Sequence, residues 1–89
     1  EDLLLLDVRE AFELDLARVP GAHHIPMKEV PERINELDPE RETIVMCHHG
    51  SRSSKVAAFL VERGFDKIWN LRGGIDAWAL EADPSVGRY

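Results

Sequence analysis

The stretch Val45-Met46-Cys47-His48-His49-Gly50-Ser51-Arg52-Ser53-Ser54-Lys55 constrains this chain more than any other. Before the cysteine runs Thr43-Ile44-Val45-Met46, apolar and largely β-branched, which predicts a buried strand. After the loop, Val56-Ala57-Ala58-Phe59-Leu60-Val61 predicts a helix. The first N–H groups of a helix have no partner within it. A strand that turns through a short loop into a helix aims those groups at the loop centre and builds an anion site. Cys47, the only cysteine in the chain, opens this loop. A thiol among such donors ionises more readily than a free one, and the thiolate is the nucleophile.

A lone cysteine at the end of an apolar strand is ordinarily a small buried hydrophobe. The residues after Cys47 argue for more than that. Gly50 permits a backbone turn at positive φ. Ser51, Ser53 and Ser54 can cap the helix or donate to an anion. Arg52 offers a planar fork of donors. His48 and His49 stand at the loop mouth, where imidazoles can stabilise negative charge or tune access by titrating. Core packing requires none of these.

Composition narrows the function class. Eighty-nine residues predict one domain, residues 1–89, and a net charge of −6 argues against a nucleic-acid partner. That charge is unevenly placed: Thr43 to Val61 holds no Asp or Glu, yet holds Arg52, Lys55, His48 and His49. No run approaches the ~20 apolar residues of a membrane span, so no membrane partner is expected. Leu3–Leu6 reads as a strand rather than a leader, because no basic region precedes it. A single cysteine excludes an internal disulfide and fits a reducing, cytoplasmic setting. His23-His24 and His48-His49 lack metal-ligand spacing, and adjacent residues on a strand point to opposite faces. No metal site is expected.

Taken in order, Leu3-Leu4-Leu5-Leu6 predicts a strand covered on both faces and ending at Asp7. A short helix is expected over Glu10–Leu16, with apolar positions Phe12, Leu14 and Leu16, broken by Pro20-Gly21. His23–Ile25 predicts a short strand, and Lys28–Leu37 a helix with Pro31 in its first turn. Thr43–Met46 leads to the cysteine loop and to a helix over Ser51–Arg63, with Val56, Phe59 and Leu60 toward the sheet and Gly64 closing it. Lys67–Leu71 predicts a further strand, and Ile75–Leu80 a last helix before an irregular tail. Trp69 and Trp78 are expected in the core. Strands alternating with helices predict an α/β fold, a central parallel sheet with helices on both faces. Ligands in such sheets bind beyond the C-terminal strand ends, where Asp7 and Cys47 both stand.

Four stretches in order carry a resemblance to a known family. Cys47-x-x-Gly50-x-Arg52 resembles the active-site loop of the rhodanese-like sulfurtransferases. Leu6-Asp7-Val8-Arg9-Glu10, with Glu13 just after, resembles that family's DVRE strand end. Pro20-Gly21-Ala22 with Ile25-Pro26 is similar to its PGA-x-x-IP turn. Gly64-Phe65 and Leu71-x-Gly73-Gly74-Ile75-x-Ala77-Trp78 resemble its closing segment. Leu16-Ala17-Arg18-Val19 departs from the family's usual Gly-His-Ile, in a turn that is not catalytic. Members usually carry another strand and helix before the first strand seen here.

The resemblance implies a single rhodanese-like domain. Cys47 would be its persulfide-forming nucleophile; His48, His49, Gly50, Ser51, Arg52 and Ser53 would bind substrate; Asp7 and Arg9 would support the site. It implies a sulfur donor such as thiosulfate, an acceptor such as cyanide or a thiol, and no cofactor. Whether Arg52 orients the donor or braces the loop stays open. Two rivals use the same parts. One is a persulfide carrier or regulatory module serving a sulfur-relay partner protein; the tail from Asp83-Pro84 to Arg88-Tyr89 weakly resembles the ends of rhodanese-like domains fused to sulfur-carrier-activating enzymes. The other is a cysteine phosphatase, but phosphatase loops set five residues between Cys and Arg. Here there are four: His48, His49, Gly50 and Ser51.

Overall fold

The computed structural model describes residues 3–71. Its strands β1 (Leu4–Asp7), β2 (His23–His24), β3 (Thr43–Met46) and β4 (Ile68–Asn70) form a parallel sheet in the order β2-β1-β3-β4. Register pairs Asp7 with Met46 and Val45 with Asn70, so the C-terminal ends of β1, β3 and β4 lie side by side.

Alternation along the strands builds two apolar layers. Leu6, Val8, Val45 and Cys47 enter the larger one, with Ile25, Val30, Leu37, Val56, Leu60 and Phe65. Leu5 and Met46 enter the other, with Ala17, Val19, Ala22 and Leu71. Helix α3 (Ser51–Glu62) lays Val56 and Leu60 on the first layer, as its spacing predicts. It ends in paired reversals, Gly64 N–H to the Val61 carbonyl and Phe65 N–H to the Leu60 carbonyl, both 3.1 Å. Gly64 holds φ +97°, which this closure favours. The last helix expected over Ile75–Leu80, together with Trp78 and the tail, lies outside the described residues.

Three expectations change. The helix expected over Lys28–Leu37 is three short pieces: 3-10 turns Met27–Glu29 and Ile34–Glu36 flank α2 (Val30–Arg33). Pro31 has no N–H to give the Met27 carbonyl, and the Val30 N–H takes that acceptor in a tighter turn. The helix expected over Glu10–Leu16 is one turn, α1 (Ala11–Leu14), and its apolar pattern does not mark its buried side. Phe12 is 66% and Leu16 54% exposed, while Glu13 is buried. Trp69 is 58% exposed rather than core. It sits on the last strand of the described sheet, on the opposite side from Ile68, and donates its indole N–H to Glu42 at 2.8 Å.

Candidate active site

Cys47 follows β3 directly and is 1% exposed. The chain then turns at Gly50, φ +109°, which a side chain would strain, and enters α3. This turn brings the backbone back onto the cysteine. Gly50 N–H donates to Cys47 Sγ at 3.0 Å and Ser53 N–H at 3.4 Å, and the Ser53 hydroxyl lies 3.5 Å away. Burial pushes the thiol pKa up. The Ser53 hydroxyl and the backbone N–H groups of Ser53, Gly50 and Arg52 pull it down, and the net result is below an ordinary thiol. The ring of donors read from the sequence is therefore present and aimed at sulfur.

The other loop residues take distinct places. His48 is half-buried and His49 exposed; their rings stack with centroids 3.9 Å apart. Ser51 is exposed at the first turn of α3 and Ser53 is buried against the sulfur. The Arg52 fork meets the Glu13 carboxylate, Nη1 to Oε1 at 2.6 Å and Nη2 to Oε2 at 2.8 Å. The structure thus assigns the guanidinium a bracing contact, which ties the loop to α1.

Asp7 and Arg9 lie beneath that brace. Arg9 is fully buried, and its Nη2 meets Asp7 Oδ2 at 2.7 Å with Nε 2.9 Å from Oδ1. Its Nη1 donates to the Glu13 carbonyl at 3.3 Å. His24, from β2, bonds the Arg9 carbonyl at 2.7 Å. Asp7 and Arg9 therefore reach the loop through α1 and Glu13.

Sequence reasoning missed two residues of this arrangement. Glu13 was legible only as part of a strand-end pattern; its partner is 39 positions away. It also accepts the Glu10 N–H at 2.8 Å, closing a capping box on α1, and Glu10-x-x-Glu13 was the local signal for that. Asn70 ends β4 with its amide against Ser53, and a polar residue at the C-terminal end of a parallel strand could have been found by that rule alone. Glu13→Gln keeps the shape but removes the charge from a buried contact. It should lower stability by ~1.5–3 kcal/mol, read as the urea midpoint at unchanged slope. An unmoved midpoint would mean that the pair does not hold the loop.

Among the described residues no group of three or more His, Cys, Asp or Glu gathers as a metal site, and no helix is long and apolar enough to cross a membrane. A family model for the rhodanese-like domain matches residues 1–81. The chain belongs to the rhodanese-like domain family. It is 38% identical to a sulfurtransferase of Allochromatium vinosum, covering 97% of this chain and 80% of that one. It is 37% identical to a thiosulfate sulfurtransferase of Actinobacillus succinogenes, covering 100% of this chain and 80% of that one. It spans only 31% of a chloroplastic rhodanese-like/PpiC domain-containing protein of Arabidopsis thaliana, at 38% identity. Among solved structures, a rhodanese-related protein from Thermoplasma volcanium superposes with a TM-score of 0.84 at 34% identity, covering 91% of this chain and 80% of that one. These relatives support a sulfurtransferase role in general terms.

Proposed function

We propose that the chain is one rhodanese-like domain acting as a sulfurtransferase, with sulfane sulfur carried on Cys47. The observation that carries the reading is the sulfur atom itself, set at a strand end under the N–H groups of Gly50 and Ser53. In the first half-reaction the Cys47 thiolate attacks the outer sulfur of thiosulfate. A bond forms between Sγ and that sulfur, the sulfur–sulfur bond of thiosulfate breaks, and its electron pair leaves with sulfite. In the second, cyanide attacks the outer sulfur of the persulfide, thiocyanate departs, and the thiolate returns. A thiol acceptor would take the sulfur in the same way, becoming a persulfide itself. This is two-step covalent catalysis.

In the persulfide the negative charge moves to the outer sulfur, and the backbone N–H groups of the loop over residues 48–53 are the donors that would stabilise it there. Arg52 enters mainly through position. Its guanidinium is held by Glu13, which fixes the loop that presents the N–H groups. The test is intact mass. Protein incubated with thiosulfate should gain one sulfur, and cyanide should remove it with release of thiocyanate. A protein that stays at its original mass with thiosulfate and with a small-molecule persulfide donor would overturn the reading.

A further inference from the structure

The Ser53 hydroxyl is where the hydrogen bonds around Cys47 cross. It lies 3.5 Å from Sγ and 3.1 Å from the Gly50 carbonyl, and it bonds Asn70 Oδ1, delivered by β4. A hydroxyl has one proton, so it serves one acceptor at a time. The Gly50 carbonyl, which the Ser53 hydroxyl meets at 3.1 Å, also accepts the Ser54 N–H at 3.0 Å and Asn70 Nδ2 at 3.4 Å, so its two lone pairs are shared among three donors and it holds the Ser53 proton the less firmly. Reversing the Asn70 amide would set its oxygen against that carbonyl, acceptor to acceptor. The hydrogen-bond network therefore favours the orientation with Oδ1 on Ser53.

Among the described residues the two stronger claimants on the Ser53 proton are Asn70 Oδ1 and, once ionised, Cys47 Sγ. With the thiol there is no conflict. The S–H donates to Ser53 Oγ, and the hydroxyl donates to Asn70. With the thiolate the hydroxyl turns to sulfur, and Asn70 Oδ1 gives up the Ser53 proton.

We propose that Asn70 is a positioning residue for Cys47: by holding the Ser53 proton it favours thiol over thiolate and limits the acidity that the loop N–H groups confer. The inference deepens the sulfurtransferase reading, which gives Cys47 its nucleophilic part, but its readout is acidity rather than transfer. The chemical consequence is that the ionised fraction falls while the remaining thiolate is the more nucleophilic for it, since nucleophilicity declines with thiol pKa. The charged and titratable groups on the surrounding elements are His48 and His49 of the loop, Arg52 and Lys55 of α3 with Glu62 at its far end, Glu13 of α1, and Asp7 with Arg9 at the end of β1. All of them stay in place in the variants below.

The test is a pH titration of thiolate absorbance, each variant measured against its own Cys47→Ser counterpart. Asn70→Ala should lower the Cys47 pKa by about 0.5–1 unit, the worth of one hydrogen bond. Asn70→Asp, nearly isosteric and a stronger acceptor, should raise it. Ser53→Ala should raise it too, because the charge-assisted bond to the thiolate is lost. The decisive arm is the double variant: Asn70→Ala should have no effect in the Ser53→Ala background. An unchanged or raised pKa in Asn70→Ala, a lowered one in Asn70→Asp, or an Asn70→Ala effect that survives without Ser53 would each overturn the proposal. Wild-type protein that gains no sulfur from thiosulfate or from a small-molecule persulfide donor would refute the sulfurtransferase reading and leave these titrations interpretable.

Discussion

Cys47→Ser is expected to reduce thiocyanate formation from thiosulfate and cyanide to the level of buffer alone. The substitution leaves the loop intact: a serine oxygen still fits where Gly50 and Ser53 point their N–H groups. What disappears is the nucleophile, because the new hydroxyl does not ionise near neutral pH and does not form a stable sulfur–sulfur bond. No other thiol in the chain can take over, since Cys47 is the only cysteine. The same variant should show no mass gain with thiosulfate, and its circular dichroism should match wild type. Thiocyanate produced by the folded serine variant would show that some other group carries the sulfur. This is an all-or-none effect, whereas Glu13→Gln acts through geometry and should leave part of the activity.

The parts of the molecule that were legible in the sequence are those built from contiguous residues. Thr43 to Lys55 holds its own strand, turn and helix start, so local rules place Cys47, Gly50 and Ser53 correctly. Leu4-Leu5-Leu6 and Thr43–Met46 likewise declare covered parallel strands, because both faces of the sheet need apolar cover, while Leu3, before the strand begins, is exposed. What stayed hidden was set by distant partners. Glu13 is buried because Arg52 meets it, and nothing within α1 announces an arginine from α3. The Phe12 and Leu16 spacing misled for the same reason: a single helical turn is oriented by the Glu13 ion pair and its capping box, not by apolar burial. The acid-free window from Thr43 to Val61 showed where positive charge collects, but not that an acid from α1 would be brought to it. Trp69 is exposed although aromatic, because aromatic character says nothing about a strand's position at the end of the described sheet.

Loop size should separate the sulfur reading from the phosphatase one. The gap between Cys47 and Arg52 is four residues, and within it the Gly50 N–H already lies 3.0 Å from sulfur. A ring this short should hold a sulfur atom but crowd a phosphoryl group with its three equatorial oxygens. Wild-type protein should therefore form thiocyanate while hydrolysing aryl phosphates at background rate. One glycine inserted after Gly50 should widen the ring and displace Arg52 from Glu13, whose contact at 2.6 Å fixes the start of α3. The Ser53 N–H, now 3.4 Å from Sγ, would also move off the sulfur. Sulfur transfer depends on near-attack placement, so the insertion should cost at least ~100-fold in rate. Weak phosphatase activity in the widened loop is compatible with the argument but not needed by it. Both activities should be measured on the same two proteins, with folding checked by urea unfolding. Aryl phosphate hydrolysis by wild type well above background, or an insertion variant that still forms thiocyanate at the original rate, would show that ring size does not decide the chemistry.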